Sequence, residues 1–524
     1  MEEKELRFDK IVLKLLSIVA ISFVLGLIFD YFFYKSLLGI SVLIYVSLIL
    51  IGLLILSIIF KKRLNKSIIL LCIPLLFFSA MVFIRSSIFL TFLNIVISIY
   101  LLLMIANLDI GQKIKNYIIV NYLKILIVPF LFIGEFIIYL FDAIKLWGIV
   151  KKQKLLHRII KGLLITIPIL TLFILLFYSA DLVFRKYISN IIDIKLETIL
   201  RLIIVIFITS VFIGAYAYTF RRSNRLLQNI KLDILSNKEP FSFGIIETSI
   251  LLGSINLLFL IFIFVQLTYL FGGEKTIAFQ GYTYSQYARR GFFELIAVAV
   301  ISFFIILLTE KFILRKKTGH TIQFKILSGL LIVLVILIMV SAFKRLLLYE
   351  NAYGFTVLRL YSHLFIIWLA VIFILLLYKI FIDRRENIFV LCTFVSIIVF
   401  LVFFNLANPD AFIANQNIKH YYKTGKLDVL YLTQLSEDAI PVTIKVLDIK
   451  DEHLRGEFAM GLNWKRENIL EHRGYYNKWQ SFNLSRTRAI QILESKSKEL
   501  SNSYIDYINS KNNNSYNLFC DPYD

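Results

Sequence analysis

Cysteine, histidine and acidic side chains are all scarce in this chain, and each shortage closes a route to function. The three cysteines, Cys72, Cys392 and Cys520, are far apart and form no disulfide framework. Cys72 and Cys392 lie in apolar runs and read as small core residues. The six histidines (His157, His320, His363, His420, His453, His472) show no metal-ligand spacing with Cys, Asp or Glu, so neither a metal nor another cofactor is expected. A Gly-rich phosphate loop, a nucleophile elbow and a His-Glu-x-x-His helix are also missing. Acids number 35 against 57 bases, for a formal charge of +22. Past about Ala407 the two signs nearly cancel, so the excess lies in short loops between apolar runs. That is the positive-inside pattern of a membrane protein and not a nucleic-acid footprint.

What is abundant is apolar surface. Hydrophobic residues make up 59% of the 524 residues, with 48 Phe and 28 Tyr. A soluble domain does not carry that load, so the expected fold is all-α, a polytopic transmembrane bundle of about eleven spans, or twelve, whose partner is the lipid bilayer. Apolar runs occur at 11–33, 37–60, 68–84 and 88–106, with only Arg85-Ser86-Ser87 between the last two. Others follow at 163–179, 202–220, 243–271, 291–308, 326–342, 360–382 and 388–404. Lys61–Lys66, Arg221–Arg225 and Lys311–Lys317 close spans on one side, which places the N-terminus in the cytoplasm.

Residues 113–161 resist this pattern. The piece Ile118–Leu140 is long enough to cross but is interrupted by Lys124, Pro129, Gly134 and Glu135. Crossing would export Lys145, Lys151, Lys152, Lys154, Arg158 and Lys161, so an interfacial or re-entrant segment followed by a cytoplasmic loop is expected. If the piece does enter, Pro129 and Gly134 need protein around them.

The transmembrane domain is expected over 1–406, a soluble helical tail outside the membrane over 407–510, and a disordered end over 511–524. In the tail, Pro409 and Asp410 open a helix that Gly425 ends, and further short amphipathic helices follow.

Four stretches carry a resemblance: GLLITIPILTLFILLFYSADLVF (162–184), YSQYARRGFFEL (284–295), NPDAFIANQNIKHY with GKLDVLYLTQLSEDAIP (408–441), and WQSFNLSRTRA (479–489). With the first hairpin, FDYFFYKSLLGIS, they run through most of the chain. The chain resembles a bacterial polytopic membrane family described only as a domain of unknown function. The resemblance implies a bacterial cytoplasmic-membrane location and brings no activity or catalytic residue.

The candidate site residues cluster at two places. In 282–297, Tyr282, Tyr284, Tyr287, Arg289, Arg290 and Glu294 mark the mouth of an apolar helix, with Arg290 and Glu294 one turn apart. They fit a ligand site or gating pair, or else an aromatic belt with arginines snorkelling to headgroups. In the tail, Asn408, Asp410, Asp428 and Asp438 fit paired carboxylates or, given Pro409 and Ser436 beside them, helix caps. Glu135 and Glu247 are isolated acids for proton coupling, or solvated interfacial groups. A tail carboxylate meeting Arg289 or Arg290 would dock the tail over the 272–297 mouth.

No catalytic residue stands out, so the first expectation is a non-enzymatic binding, scaffold or sensor-like envelope protein. Its partner would be an envelope protein or a small molecule. A secondary transporter is the alternative, with Pro129/Gly134 as the one candidate break. A membrane enzyme acting on lipid-linked substrates is the second alternative, for which Asp30 stands alone beside Tyr31–Ser36.

Overall fold

The computed structural model describes residues 2–108, 114–151, 196–221, 244–278, 292–312, 318–382, 385–471 and 478–517. They are helical, with no strand among the described residues. The first twelve α-helices are α1 (Glu2–Phe33), α2 (Ile40–Ile59), α3 (Lys66–Ile84), α4 (Ile88–Asn107), α5 (Ile119–Lys124), α6 (Val128–Lys151), α7 (Leu196–Arg221), α8 (Ile245–Ala278), α9 (Phe292–Phe312), α10 (Thr318–Tyr353), α11 (Val357–Phe381) and α12 (Glu386–Ala407). The tail adds α13 (Pro409–Thr424), α14 (Val429–Gln434), α15 (Ile440–Thr443), α16 (Glu452–Glu471), α17 (Leu484–Ser495) and α18 (Ser497–Asn517).

Eleven helical segments among the described residues are long and apolar enough to cross a membrane. The chain is a polytopic, integral membrane protein. Ile119–Ala143 is one of the eleven, whereas the expected span 163–179 lies outside the described residues. Large apolar side chains such as Ile58, Ile73 and Phe264 stay more than 60% exposed, which only a hydrocarbon solvent tolerates in such numbers.

The bundle has two unlike faces. One, the tail face, gathers the end of α1, the 34–39 and 85–87 turns, the start of α7 and the 354–356 loop. The opposite face gathers Phe60, Lys62 and Phe220; there Lys62 donates to the Thr219 carbonyl (3.0 Å) and Lys325 to the Phe381 carbonyl (3.0 Å). Polar pairs hold helices together between the faces. Asn94 of α4 and Asn405 of α12 exchange two amide bonds of 2.8 Å while almost fully buried. Asn256 donates to the Leu327 carbonyl (3.0 Å), and Ser341 donates to Gln266. Such bonds hold helices where lipid offers no hydrophobic drive, at about 0.6 kcal/mol each.

The awkward segment forms α5, a 3₁₀ turn (Ile125–Ile127) and α6, with Pro129 in the first turn of α6 where its missing N–H is harmless. Ile119 N–H donates to the Glu386 carboxylate (3.2 Å), at the start of α12. Tyr122 packs on Phe394 at 5.2 Å, and Tyr139 donates to the Leu15 carbonyl, near the start of the apolar part of α1. Phe132 crosses Gly214 so closely that a Cβ there would overlap the Phe132 carbonyl. Pro129 and Gly134 are exposed, not enclosed by protein.

The tail has its own core, built on Ile413, Val429, Leu432, Phe458, Leu462 and Leu493, and Phe355, Val357 and Leu360 from the bundle pack into it. Helix α18 continues to Asn517, and residues 518–524 lie outside the described residues.

Single cysteines at Lys115 and Lys151, in a chain whose native cysteines are replaced by serine, are expected to react with an impermeant thiol reagent from the same side of the membrane. Labelling from opposite sides would show that the segment crosses.

Candidate functional site at the junction of bundle and tail

The passage from bundle to tail is a sharp turn. Helix α12 ends at Asn408, whose φ of 48° lies in the left-handed region that asparagine tolerates, and its side chain accepts from Ala411 N–H (3.4 Å) to open α13. Pro409 follows at the first helical position, where its fixed φ fits. The turn directs α13 back along the tail face. There Asn417 pairs with the backbone of Phe355, accepting from its N–H (2.6 Å) and donating to its carbonyl (2.8 Å). Val357 N–H donates to the Tyr431 hydroxyl (2.7 Å).

The centre of the junction is Asp438, 3% exposed. One carboxylate oxygen accepts the N–H groups of Ser86 (2.8 Å) and Ser87 (3.0 Å) and the Ser436 hydroxyl (3.3 Å). The other accepts the Ser485 hydroxyl and faces the Arg85 guanidinium at 3.9 Å. Asp438 N–H in turn donates to the Ser86 hydroxyl (3.0 Å). Two successive backbone amides on one oxygen form a small anion cradle, supplied here by the turn between α3 and α4. Burial lowers the Arg85 pKa and the nearby Asp438 charge opposes that shift. Arg85 also donates to the carbonyls of Asn405 (2.9 Å) and Leu406 (3.3 Å) at the end of α12.

The segment 478–487 clamps both turns of the tail face. Gln480 donates to the Tyr31 carbonyl (3.4 Å), Leu37 N–H to the Ser481 hydroxyl (3.0 Å), and Ile40 N–H to the Phe482 carbonyl (3.0 Å). Asn483 donates to the carbonyls of Val82 (3.2 Å) and Arg85 (2.7 Å), while its oxygen caps α17 through Arg486 N–H (3.0 Å). Gly39 makes room for this clamp, since a Cβ would stand 2.5 Å from the Phe482 carbonyl oxygen.

Beside the clamp lies an open polar pocket of about 620 Å³ between Asp30–Ser36, Glu197, Arg201 and Lys478–Gln480. Arg201 grips Asp30 through two nitrogens, with Nε at 3.2 and 3.0 Å from its two oxygens, and Lys35 pairs with Glu197 at 2.9 Å. Asp30, the acid weighed for an enzyme acting on lipid-linked substrates, is thus engaged by a guanidinium.

The expected site residues fall as follows. Tyr282, Tyr284, Tyr287, Arg289 and Arg290 lie outside the described residues, and so does any contact of the tail with those arginines. Glu294 is exposed in the first turn of α9. Asn408 and Asp428 act as N-caps, Asp428 accepting from Tyr431 N–H (2.9 Å). Asp410 and Asp438 are not caps. Asp410, 4% exposed, accepts from the N–H (3.2 Å) and hydroxyl of Ser436, which joins the two acids. Arg85, Ser86, Ser87, Ser485 and Asn483 were not singled out from the sequence. The only signal is that the shortest inter-span turn is wholly polar.

Two outcomes follow from this geometry. Asp438→Ala strands the Ser86 and Ser87 amides, and is expected to weaken tail docking by about 3 kcal/mol, read as faster proteolysis of the tail in the full-length protein. Asp438→Asn, which keeps an acceptor, is expected to lose less. Burial raises the Asp410 pKa, and the Ser436 bonds oppose the rise. A raised folded pKa means that the stabilisation from this group is fully present below its unfolded value of about 3.9 and fades as pH rises through the folded value. Thermal unfolding of Asp410→Asn across that window is therefore expected to show less gain on acidification than the parent. An identical pH profile would contradict this.

No curated protein and no solved structure matches the chain. A sequence model of the family described as domain of unknown function (DUF4153) matches residues 72–446, from within α3 to the 3₁₀ turn after α15. That stretch holds the Arg85-Ser86-Ser87 turn, the sequence stretch 282–297 and the Asp410–Asp438 half of the junction. With well over half its length matched, the chain belongs to the family described as domain of unknown function (DUF4153).

Proposed function

We propose that this protein is a non-enzymatic component of a bacterial cytoplasmic membrane. Its extracytoplasmic helical tail forms a fixed cap on the bundle, and the junction beneath the cap binds an envelope partner or a small molecule. The observation that carries this reading is the buried Asp438 carboxylate, satisfied jointly by bundle amides and tail hydroxyls. A tail tied only for solubility would need no such cost. The proposed orientation, with the N-terminus in the cytoplasm and the tail outside, is supported by the face opposite the tail, where Lys61, Lys62, Arg63 and Lys66 follow α2. A segment Ile118–Leu140 that stays on that face is supported by the contacts of Ile119 with Glu386 and Tyr139 with Leu15.

A transporter is the second reading, favoured by one observation. Glu350 and His363 pair at 3.1 Å between α10 and α11, 1% and 5% exposed, and Glu350 Oε2 has no hydrogen-bond partner among the described residues. An intramembrane ionisable pair with spare valence is where proton or ion coupling would be sought.

A phosphatase fused after Tyr422 is expected to be active, and proteoliposomes of the purified chain are expected to show no substrate-dependent flux. Deletion is expected to leave envelope glycans unchanged. Flux abolished by Glu350→Gln would establish the transporter instead, and altered glycans would establish an enzyme.

A further inference from the structure

The polar pocket beside the clamp and an apolar groove both reach the end of α1. Residues 30 and 31 of α1 and the turn that begins at Tyr34 line the pocket, while Phe29, Phe33 and Leu38 line the groove. The groove holds about 550 Å³ between α2, α4 and α7, is almost wholly apolar, and descends to Phe132 and Thr219 near the opposite face. Along α2 it runs from Val42 to Leu53, which at 1.5 Å per residue is about 16 Å, the depth of one leaflet of a bilayer core about 30 Å thick. Its long axis therefore lies along the membrane normal, with the polar pocket at headgroup depth.

The pocket carries surplus positive charge. Lys35, Arg201 and Lys478 stand against Asp30 and Glu197, three cations against two carboxylates. Both carboxylates are paired, Glu197 with Lys35 and Asp30 with Arg201. Lys478 donates to the Lys35 carbonyl (2.7 Å), and no carboxylate among the described residues lies within 4 Å of it. Tyr31 and Trp479, 57% and 48% exposed, stand at the rim as aromatic residues do at headgroup level. The Tyr34 ring lies under Arg201 (5.0 Å) and Lys35 (5.4 Å), which holds both cations in the pocket.

We propose that pocket and groove together form a binding site for a membrane lipid with an anionic, phosphate-bearing headgroup. The phosphate lies against Lys478, Lys35 and Arg201, and one acyl chain lies in the groove past Phe33 and Leu38. The site rests on the docked tail of the proposed function, because Lys478 and Trp479 belong to the tail. It deepens that reading by naming the class of ligand.

The test is native mass spectrometry of the full-length chain, purified in detergent and offered phosphatidylglycerol or phosphatidylcholine, with tail proteolysis followed in the same samples. The parent is expected to retain phosphatidylglycerol preferentially. Lys478→Ala is expected to reduce that preference about fivefold, near 1 kcal/mol for one lysine at an anionic lipid surface, with the tail still protected. Leu38→Trp, which fills the groove, is expected to reduce retention of both lipids. Equal retention of the two lipids by the parent, or a preference unchanged in Lys478→Ala, overturns the proposal. So does full displacement of phosphatidylglycerol by inorganic phosphate, which would mark a site for free anions. A tail that is cleaved in the parent while the lipid preference survives Lys478→Ala would remove the docking reading as well. A protected tail with no lipid preference would remove the lipid site alone.

Discussion

A carboxylate taken out of water is the constraint on which this architecture depends. Removing an ion such as Asp438 from solvent costs several kcal/mol, and the cost is met only when every lone pair finds a donor. Here the donors come from both parts of the protein: Ser86 and Ser87 amides from the bundle, Ser436 and Ser485 hydroxyls from the tail, with the Arg85 guanidinium facing the carboxylate at 3.9 Å. A shift of the tail by a single bond length would strand the ion, so the interaction selects one docking geometry. Three residues are enough to make the cradle because the turn between α3 and α4 is so short. Its amides point away from both helices because neither helix can use them.

Helix ends explain where the cations go. The last carbonyls of a helix lack partners and carry partial negative charge, and a cation there is favoured by about 0.3–1 kcal/mol. Lys62 serves the end of α7 through Thr219, Lys325 the end of α11 through Phe381, and Arg85 the end of α12 through Asn405 and Leu406. The first two lie on the face opposite the tail. Arg85 lies on the tail face, where Asp438 stands 3.9 Å away. One guanidinium thus closes a helix and faces the docking carboxylate, which explains why an arginine, with its planar fork of donors, stands where a lysine would serve only one role.

Local features were legible in the sequence, and long-range ones were not. Runs of twenty apolar residues give the spans directly, and Pro409 and Asp428 announce their helix starts through rules that act within four residues. The all-helical bundle follows from those rules alone. The partner of Asp438 does not. Ser86 lies 352 positions away, and a serine in a three-residue turn has no pattern that marks it as a ligand. Asp410 and Asp438 resembled caps because Pro409 and Ser436 stand where capping neighbours stand, yet both acids turn away from their own helix ends to bind Ser436 and the cradle. The tail motifs 408–441 and 479–489 stood out in the sequence only among the four stretches that carry the resemblance. Their shared purpose, gripping the 34–40 and 82–88 turns, needed the fold. The arginines of the 282–297 stretch drew attention by cost alone, since charge near apolar helices is conspicuous, whereas Arg85 passed as a separator.

The same short stretch, 478–483, supplies clamp contacts and one wall of the polar pocket. Ser481, Phe482 and Asn483 hold the turns, while Lys478, Trp479 and Gln480 face the pocket. Whatever binds in the pocket with the tail docked binds a site that an undocked tail cannot offer. By linkage, such a ligand stabilises docking by RT ln(1 + [L]/Kd), about 2.7 kcal/mol at a hundredfold excess over Kd. That is the size of one charge-assisted hydrogen bond, the same order as the Asp438 contact itself. Docking and binding are therefore coupled in both directions, and neither is a fixed property of the chain apart from the membrane around it. An abundant bilayer component would act as a constant reinforcement of the cap, and a scarce one would act as its regulator.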